Sequence, residues 1–366
     1  MRGGVSVTRL HAIVFMCLAI ILAACSPAAR GTGEYKIALV PDLAGQHGIF
    51  VINSDQTGGK LLTPDPSAKL RSTSWSPDGK KIGFFAAHDE DSSMLLKYRM
   101  PLHFPLYWMD STGANQKRLL DFPVSSFEFS RDGRQLLFVS SYEDPAHNDP
   151  DIVKGFKNPM SAVYLMDLKT GSQKRVTGFG QNCSGSWSPD GRSVALSFGD
   201  AQSSDLYTAS LDGKHTRRLN GDSPGIKLKP TWSPDGKRIA YISFISRETG
   251  MISNAYIVDA DGSNIKQIAN ANPYEVSWSV DGKILLLRLT RGFALVSAEG
   301  NTIVDMENKV IQPEDAVFTP DGRHVMFRSN HEGPFYLYAV DLKGTNIRRI
   351  SGRLSASMFC LSPIKP

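Results

Sequence analysis

The stretch Trp232-Ser233-Pro234-Asp235-Gly236-Lys237-Arg238-Ile239-Ala240-Tyr241 constrains the fold more than any other, because its pattern returns from Trp75 to the last residues. Its chemistry is that of a hairpin. Proline at its fixed φ suits the second position of a type I turn, aspartate tolerates the next, and glycine takes the left-handed position that closes into a bulge. The copies are Trp75-Ser76-Pro77-Asp78-Gly79, Phe129-Ser130-Arg131-Asp132-Gly133, Trp187-Ser188-Pro189-Asp190-Gly191, the stretch already quoted, Trp278-Ser279-Val280-Asp281-Gly282 and Phe318-Thr319-Pro320-Asp321-Gly322, with a worn Leu361-Ser362-Pro363 at the end. Counted from the aromatic position, and closing on Leu361, the spacings are 54, 58, 45, 46, 40 and 43 residues. A period near forty with several short strands per unit is the signature of a propeller or another radial array.

Each repeat has a second landmark, a strand ending in a small polar turn, as in Leu106-Tyr107-Trp108-Met109-Asp110, Val163-Tyr164-Leu165-Met166-Asp167 and Ala255-Tyr256-Ile257-Val258-Asp259. A short basic-then-apolar strand follows, such as Lys117-Arg118-Leu119-Leu120. That makes four strands per repeat, here called first to fourth. The ends of the chain supply the closure: residues 35–40, 48–53 and 60–62 read as second, third and fourth strands with no first, while 355–361 reads as a first strand with nothing after it. Completing one blade from both ends removes free sheet edges. The expectation is an all-β, seven-bladed β-propeller of four-stranded antiparallel blades, closed by N- and C-terminal strands sharing one blade, three strands plus one.

The W-S-P-D-G-(K/R)-x-I-A-(F/Y) hairpin followed by I-Y-x-x-D-x-x-G resembles the TolB-like, WD-like propeller repeat, and it covers essentially the whole chain beyond the N-terminal segment. The motif is specific for fold and says little of function. TolB itself carries an extra α/β domain ahead of its propeller, whereas here about ten residues separate Cys25 from the first strand. The resemblance is therefore to the family and not to TolB.

The N-terminus reads as an export signal. Arg2 and Arg9 precede the apolar run Leu10 to Leu22, which ends Leu22-Ala23-Ala24-Cys25. A basic start, an apolar segment too short to span a bilayer and small residues before the cut make a secretory signal over residues 1–24. Leu-Ala-Ala-Cys resembles a bacterial lipobox, which implies lipidation of Cys25, a short linker over 25–34 and the propeller over 35–366. Ser26 after the cysteine implies sorting to the periplasmic face of the outer membrane if the cell is Gram-negative. Acyl chains on Cys25 suffice for stable attachment.

The 41 Lys and Arg include Arg2 and Arg9, leaving 39 against 36 Asp and Glu, a net +3 that is too small and scattered to argue for nucleic acid. Hydrophobic content of 41% is ample for a large core. Of the four cysteines, Cys17 leaves with the signal and Cys25 takes the lipid. Cys183 and Cys360 then fall on first strands across the ring from one another, as separate buried thiols.

In such a ring the first-to-second and third-to-fourth turns lie on one face, here the turn face. The other connections lie on the opposite, loop face. Two long insertions fall on that loop face: Ala87 to Phe104 in the Trp75 repeat and Ser141 to Ala162 in the Phe129 repeat. Loops of that length are where function concentrates. They hold His88, Glu90 and His103, then Tyr142, His147 and Asp149, the candidate binding residues; His47 and His331 fall on equivalent loops.

Three readings of this cluster stand side by side. Acidic, proline-containing loops commonly pick up histidine as plain solvent faces. A recognition surface for an envelope protein or glycan fits the loop lengths and the aromatic neighbours Tyr98, Phe104 and Tyr142. A metal site fits the ligand types but shows no tight spacing such as H-x-x-x-H. Some propeller lyases acting on acidic sugars resemble this arrangement in using central-face histidines with a metal, though nothing here matches their residues one by one.

Other features read as structure. Asp259-Ala260-Asp261-Gly262-Ser263-Asn264 starts like a calcium loop, but glycine comes fourth rather than sixth and no glutamate closes it. Six symmetric copies of the Ser-Pro-Asp-Gly aspartate argue for turn chemistry, and Trp75, Trp187, Trp232 and Trp278 read as wedges between blades. No nucleophile elbow, phosphate loop or Cys-x-x-Cys occurs. A prolyl-oligopeptidase-like enzyme would need a hydrolase domain of a few hundred residues after the last repeat. The expectation is a binding or scaffold protein without a cofactor. A metal-dependent lyase or hydrolase on a polysaccharide is the alternative from another class, and a sensor or small-molecule binder using the central tunnel is a third.

Overall fold

The computed structural model describes residues 35–363 apart from 42–47, 63–68, 88–103, 123, 144–159, 179, 181–182, 201–202, 213–214, 220–224, 249, 308 and 353. Every regular element among them is a β-strand.

The repeated hairpins form because their own side chains satisfy the turn. Ser233 Oγ donates to Asp235 Oδ1 at 2.6 Å and accepts from the Arg238 amide at 2.9 Å, while Asp235 Oδ1 also accepts from the Lys237 amide at 3.0 Å. The same hydroxyl-to-carboxylate bond, at 2.6–2.7 Å, recurs at Ser76, Ser130, Ser188, Ser279 and Thr319. The closing glycine is left-handed in all six copies, with φ between 66° and 71°. Asp235 is held below the usual carboxylate range by the Ser233 hydroxyl and the Lys237 amide, as suits an acceptor fixed in a turn.

In four of the sheets the strand order follows the chain, from the axis outward. The Trp75 blade comprises Lys69–Trp75, Lys81–Ala87, Leu106–Asp110 and Lys117–Arg118; the Phe129 blade comprises Ser126–Phe129, Gln135–Ser140, Ala162–Asp167 and Gln173–Arg175. The Trp278 blade comprises Glu275–Trp278, Ile284–Leu289, Gly292–Ser297 and Thr302–Asp305; the Phe318 blade comprises Glu314–Phe318, His324–Ser329, Tyr336–Asp341 and Arg348–Arg349. In the closing blade, Ala356–Leu361 pairs antiparallel with Lys36–Pro41, which continues to Phe50–Asn53 and Lys60–Leu61. Its register sets Ile37 opposite Leu361 and Leu39 opposite Phe359.

The expectation of a seven-bladed ring is corrected by the sheet topology, which shows five four-stranded blades and not seven. Five four-stranded blades stand as independent sheets, whereas the Trp187 and Trp232 repeats merge into one eight-stranded sheet. The first of these repeats supplies Ser184–Trp187, Ser193–Gly199, Ser204–Ser210 and Thr216–Arg218; the second supplies Ile226–Trp232, Arg238–Arg247, Gly250–Asp259 and Lys266–Ala269. They are joined by parallel pairing of Ser204 with Ile226. The cause is local: Ser204 Oγ donates to the Lys227 carbonyl at 2.7 Å and accepts from its amide at 2.8 Å, drawing the start of one first strand onto its neighbour's third. Lys227 is fully buried there, its ammonium donating to Gly225 O at 3.0 Å, and desolvation lowers its pKa.

The core lies between neighbouring sheets. Trp75 packs with Ala38, Val40 and Val51 of the closing blade, and Trp187 with Leu137, Val139 and Val163 of the Phe129 blade. The indole N–H of Trp187 donates to Glu128 O at 3.2 Å and that of Trp278 to Thr231 O at 3.1 Å, so these two wedges also stitch their first strands to the ones before, whereas the indole nitrogens of Trp75 and Trp232 are buried without a partner among the described residues. Cys183 and Cys360 are free thiols on the first-strand segments of the Trp187 repeat and the closing blade. Burial pushes them up to about 11 and about 12 respectively, which keeps both protonated and unreactive. Asp259 to Asn264 is a hairpin turn in which the Gly262 amide donates to Asp259 O at 2.8 Å.

Candidate binding face and the channel mouth

Of the six candidate binding residues, the structure places Tyr142; His88, Glu90, His103, His147 and Asp149 lie outside the described residues, as do His47, the signal segment 1–24, Cys25 and the linker 25–34. Tyr142 stands where the second insertion leaves its blade. Its ring stacks on Phe122 with centroids 3.7 Å apart and planes within 10°, and its hydroxyl donates to Glu143 Oε1 at 3.1 Å. Glu143 in turn accepts from the Tyr164 hydroxyl at 3.2 Å and lies 3.7 Å from Arg175. Desolvation, reinforced by Glu143, pushes the Tyr142 hydroxyl up to about 12. Tyr142 is thus a rigid footing for the insertion, anchored in the core by stacking.

The return ends are pinned as well. Phe104 bridges to Val124 through two 3.1 Å backbone bonds, and Ser161 bridges to Gly180 at 2.7 and 2.8 Å. Both insertions therefore start and finish on fixed points of the loop face. His331 is absorbed into its own turn: Nδ1 lies 2.9 Å from Ser329 Oγ, Nε2 lies 3.5 Å from Glu332, and the ring packs on Tyr338. Among the described residues, no group of three or more His, Cys, Asp and Glu side chains could hold a metal ion.

Sequence reasoning missed a charged chain where the first strands begin, at the mouth of the central channel on the loop face. Lys229, Glu275 and Asp315 each stand three residues before the landmark aromatic of their repeat. Lys229 Nζ lies 3.2 Å from Glu275 Oε2, which accepts from Arg288 Nη1 at 3.0 Å. Arg288 continues to Asp315, and Asp315 to Arg328, whose guanidinium also donates to the Ser357 carbonyl of the closing blade. Burial would disfavour the Arg288 cation, but Glu275, Tyr274 and Asp315 outweigh it and raise its pKa. The chain links four consecutive repeats.

Its backbone is unusual too. Ser72, Lys229 and Asp315, at equivalent positions in their repeats, are left-handed with φ of 36°, 53° and 50°, each at a register shift of its first strand. A non-glycine residue there costs of order 1–3 kcal/mol and persists where its surroundings over-determine it. The signal was present in the sequence as charges at a fixed offset from the landmark aromatic, a position the hairpin motif leaves free.

Along the innermost strands, the residues one before the landmarks are Ser74, Glu128, Ser186, Thr231, Ser277, Val317 and Cys360, of which Val317 and Cys360 pack against the core between blades. Glu128 is the single carboxylate of that layer. Water reaches it, yet the enclosing walls desolvate it and push its carboxyl up to about 8.

The family described as the TolB beta propeller domain (PD40) matches residues 96–298. Over 172 residues the chain is 27% identical to "Uncharacterized peptidase YuxL" of Bacillus subtilis (strain 168), covering 46% of this chain and 25% of that protein. Over 140 residues it is 29% identical to "Protein TolB homolog" of Chlorobium chlorochromatii (strain CaD3), covering 38% and 28%. The chain thus spans about a quarter of the length of these curated relatives. An oligogalacturonate lyase solved in complex with manganese superposes with a TM-score of 0.62 at 16% identity, over 84% of this chain and 86% of that one, a likeness of fold. With four-stranded blades around an axis, Ser-Pro-Asp-Gly hairpins and a family match over more than half its length, the chain belongs to the TolB beta propeller domain family.

Proposed function

We propose that this protein is a lipid-anchored propeller of the cell envelope that captures a protein or a glycan on its loop face. The observation that supports this most is the footing of the two insertions: both leave and re-enter adjacent blades on that face, from points fixed by the Phe122–Tyr142 stack and the Phe104 and Ser161 bridges. A rigid ring carrying variable loops is a binding architecture, because the scaffold meets the ordering cost in advance. Acyl chains on Cys25 would hold the ring at the membrane, with the periplasmic face of the outer membrane as its place in a Gram-negative cell.

Replacement of residues 89–102 by a short Gly-Ser turn tests the reading. Crosslinking capture from native envelopes should be lost while the unfolding temperature stays within about 2 °C of wild type; undiminished capture contradicts it. Cys25→Ala should move the protein from the membrane pellet to the soluble fraction, and unchanged pelleting contradicts the anchor. A stoichiometric transition metal in protein purified without chelator would replace capture with the metal-dependent lyase or hydrolase reading.

A further inference from the structure

On the loop face between the Trp278 and Phe318 blades lies a cavity of about 530 Å³, within the range that holds small ligands. It is lined by Thr290, Arg291, Lys309, Gln312, Pro313 and Glu314. Arg291 sits in the turn between two strands of the Trp278 blade, and Lys309 in the segment leading to the Phe318 blade, so two separate stretches bring cations to one hollow. We infer that this cavity is a binding site for an oxyanion, a carboxylate or phosphate group carried by a small ligand.

The first argument is charge. Neither Arg291 nor Lys309 has an ion pair or side-chain hydrogen bond among the described residues, and both are exposed. Their neighbours differ. Arg288 is engaged by Glu275 at 3.0 Å, by Asp315 and by the Tyr274 hydroxyl at 3.2 Å, and Arg328 is engaged by Asp315 and, at 3.5 Å, by Glu314. The carboxylates of Glu275, Glu314 and Asp315 therefore already have partners. Two cations remain over the cavity, where a guanidinium fork and an ammonium can both donate to one anion.

The second argument is preorganisation. Gly292, beside Arg291, has φ of 136°, and a Cβ there would lie 2.3 Å from Met306 O and 3.0 Å from Glu307 Cα. The two walls thus touch at this glycine, and the Met306 amide donates to Phe293 O at 2.9 Å beside it. On the other wall, the Gln312 amide donates to Lys309 O at 2.9 Å, with Gln312 left-handed at φ 43° and Pro313 following. Both cations are consequently presented from fixed backbone, which lowers the ordering cost of binding. The site lies on other blades than the insertions and does not rest on their role.

Titration of the full chain with sodium succinate and with sodium phosphate, against sodium chloride of equal ionic strength, tests the inference by calorimetry or by amide shifts of 290–292 and 309–312. Saturable binding of either oxyanion above chloride is expected, and the tighter of the two names the group. Arg291→Gln with Lys309→Gln should weaken it at least about tenfold, the loss of two charge-assisted contacts. Glu314→Gln should tighten it severalfold by removing the one carboxylate of the lining. Binding no stronger than chloride, or a double variant that folds and binds as wild type, would overturn the inference, as would Glu314→Gln weakening binding.

Discussion

The two faces of the ring obey different rules. On the turn face one solution is repeated: hydroxyl to aspartate, aspartate to amide, glycine left-handed, with Gly236, Gly282 and Gly322 each set against the second turn residue of the preceding copy, Pro189, Pro234 and Val280. On the loop face repetition is partial: three repeats share a left-handed residue at one position, Ser72, Lys229 and Asp315, and its chemistry differs among them. Charges appear in some repeats and not others, Lys229 and Asp315 hold strained backbone, and two blades carry insertions. Repetition marks what every repeat needs in order to fold, and broken symmetry marks what the assembled ring can use.

The contrast predicts unequal responses to one kind of substitution. Gly292→Ala, on the loop face, meets Met306 O and a disfavoured φ together and should cost about 3 kcal/mol or more in chemical denaturation. Gly133→Ala, on the turn face, has a left-handed φ of 67° but nothing within 4 Å of its new Cβ, so about 1 kcal/mol is expected. Equal costs would show that the loop-face walls are not held by contact at Gly292.

A smaller effect should follow from breaking one turn. Ser233→Ala removes both a donor to Asp235 and the acceptor of the Arg238 amide, and should cost about 1–2 kcal/mol. The same change at Ser279 should add to it almost in full, since the turns are separate units. Strong non-additivity would mean that the turns act as one ring.

The smallest effect concerns the channel. Glu128 has its carboxyl raised from 4.5 to about 8 by desolvation, so between those values the folded state holds a proton that the unfolded chain has released. Stability from this group therefore falls as pH rises from 4.5 to 8. Glu128→Gln should raise the unfolding temperature by about 2 °C near the top of that window and leave it unchanged below the bottom, the gain kept small by water at the carboxylate. A gain at low pH instead would contradict a desolvated acid.

What could be read from the chain follows the same division. The Ser-Pro-Asp-Gly hairpins were legible because each is complete within ten residues, and the shared closing blade because its two fragments complement each other in strand order. The fusion of the Trp187 and Trp232 repeats was not, because it turns on Ser204 meeting a buried Lys227, a residue type that alternation assigns to solvent. The charged chain from Lys229 to Arg328 escaped for a related reason. Glu275 with Arg288, and Asp315 with Arg328, meet within one hairpin, but the links from Lys229 to Glu275 and from Arg288 to Asp315 form only once the ring has brought neighbouring blades together. Tyr142 drew notice as a loop aromatic, whereas its partner Phe122 precedes the blade by a separate connection.

Both faces exist only if the ring is closed by the pairing of residues 36–41 with 356–361. Cross-strand Hα–Hα NOEs in deuterated, selectively labelled protein test that pairing most directly. The account predicts strong contacts between Ile37 and Leu361 and between Leu39 and Phe359. Their absence, with Lys36–Pro41 showing NOEs only to Phe50–Asn53, would mean an open array and would remove the channel, its mouth and the distinction between faces.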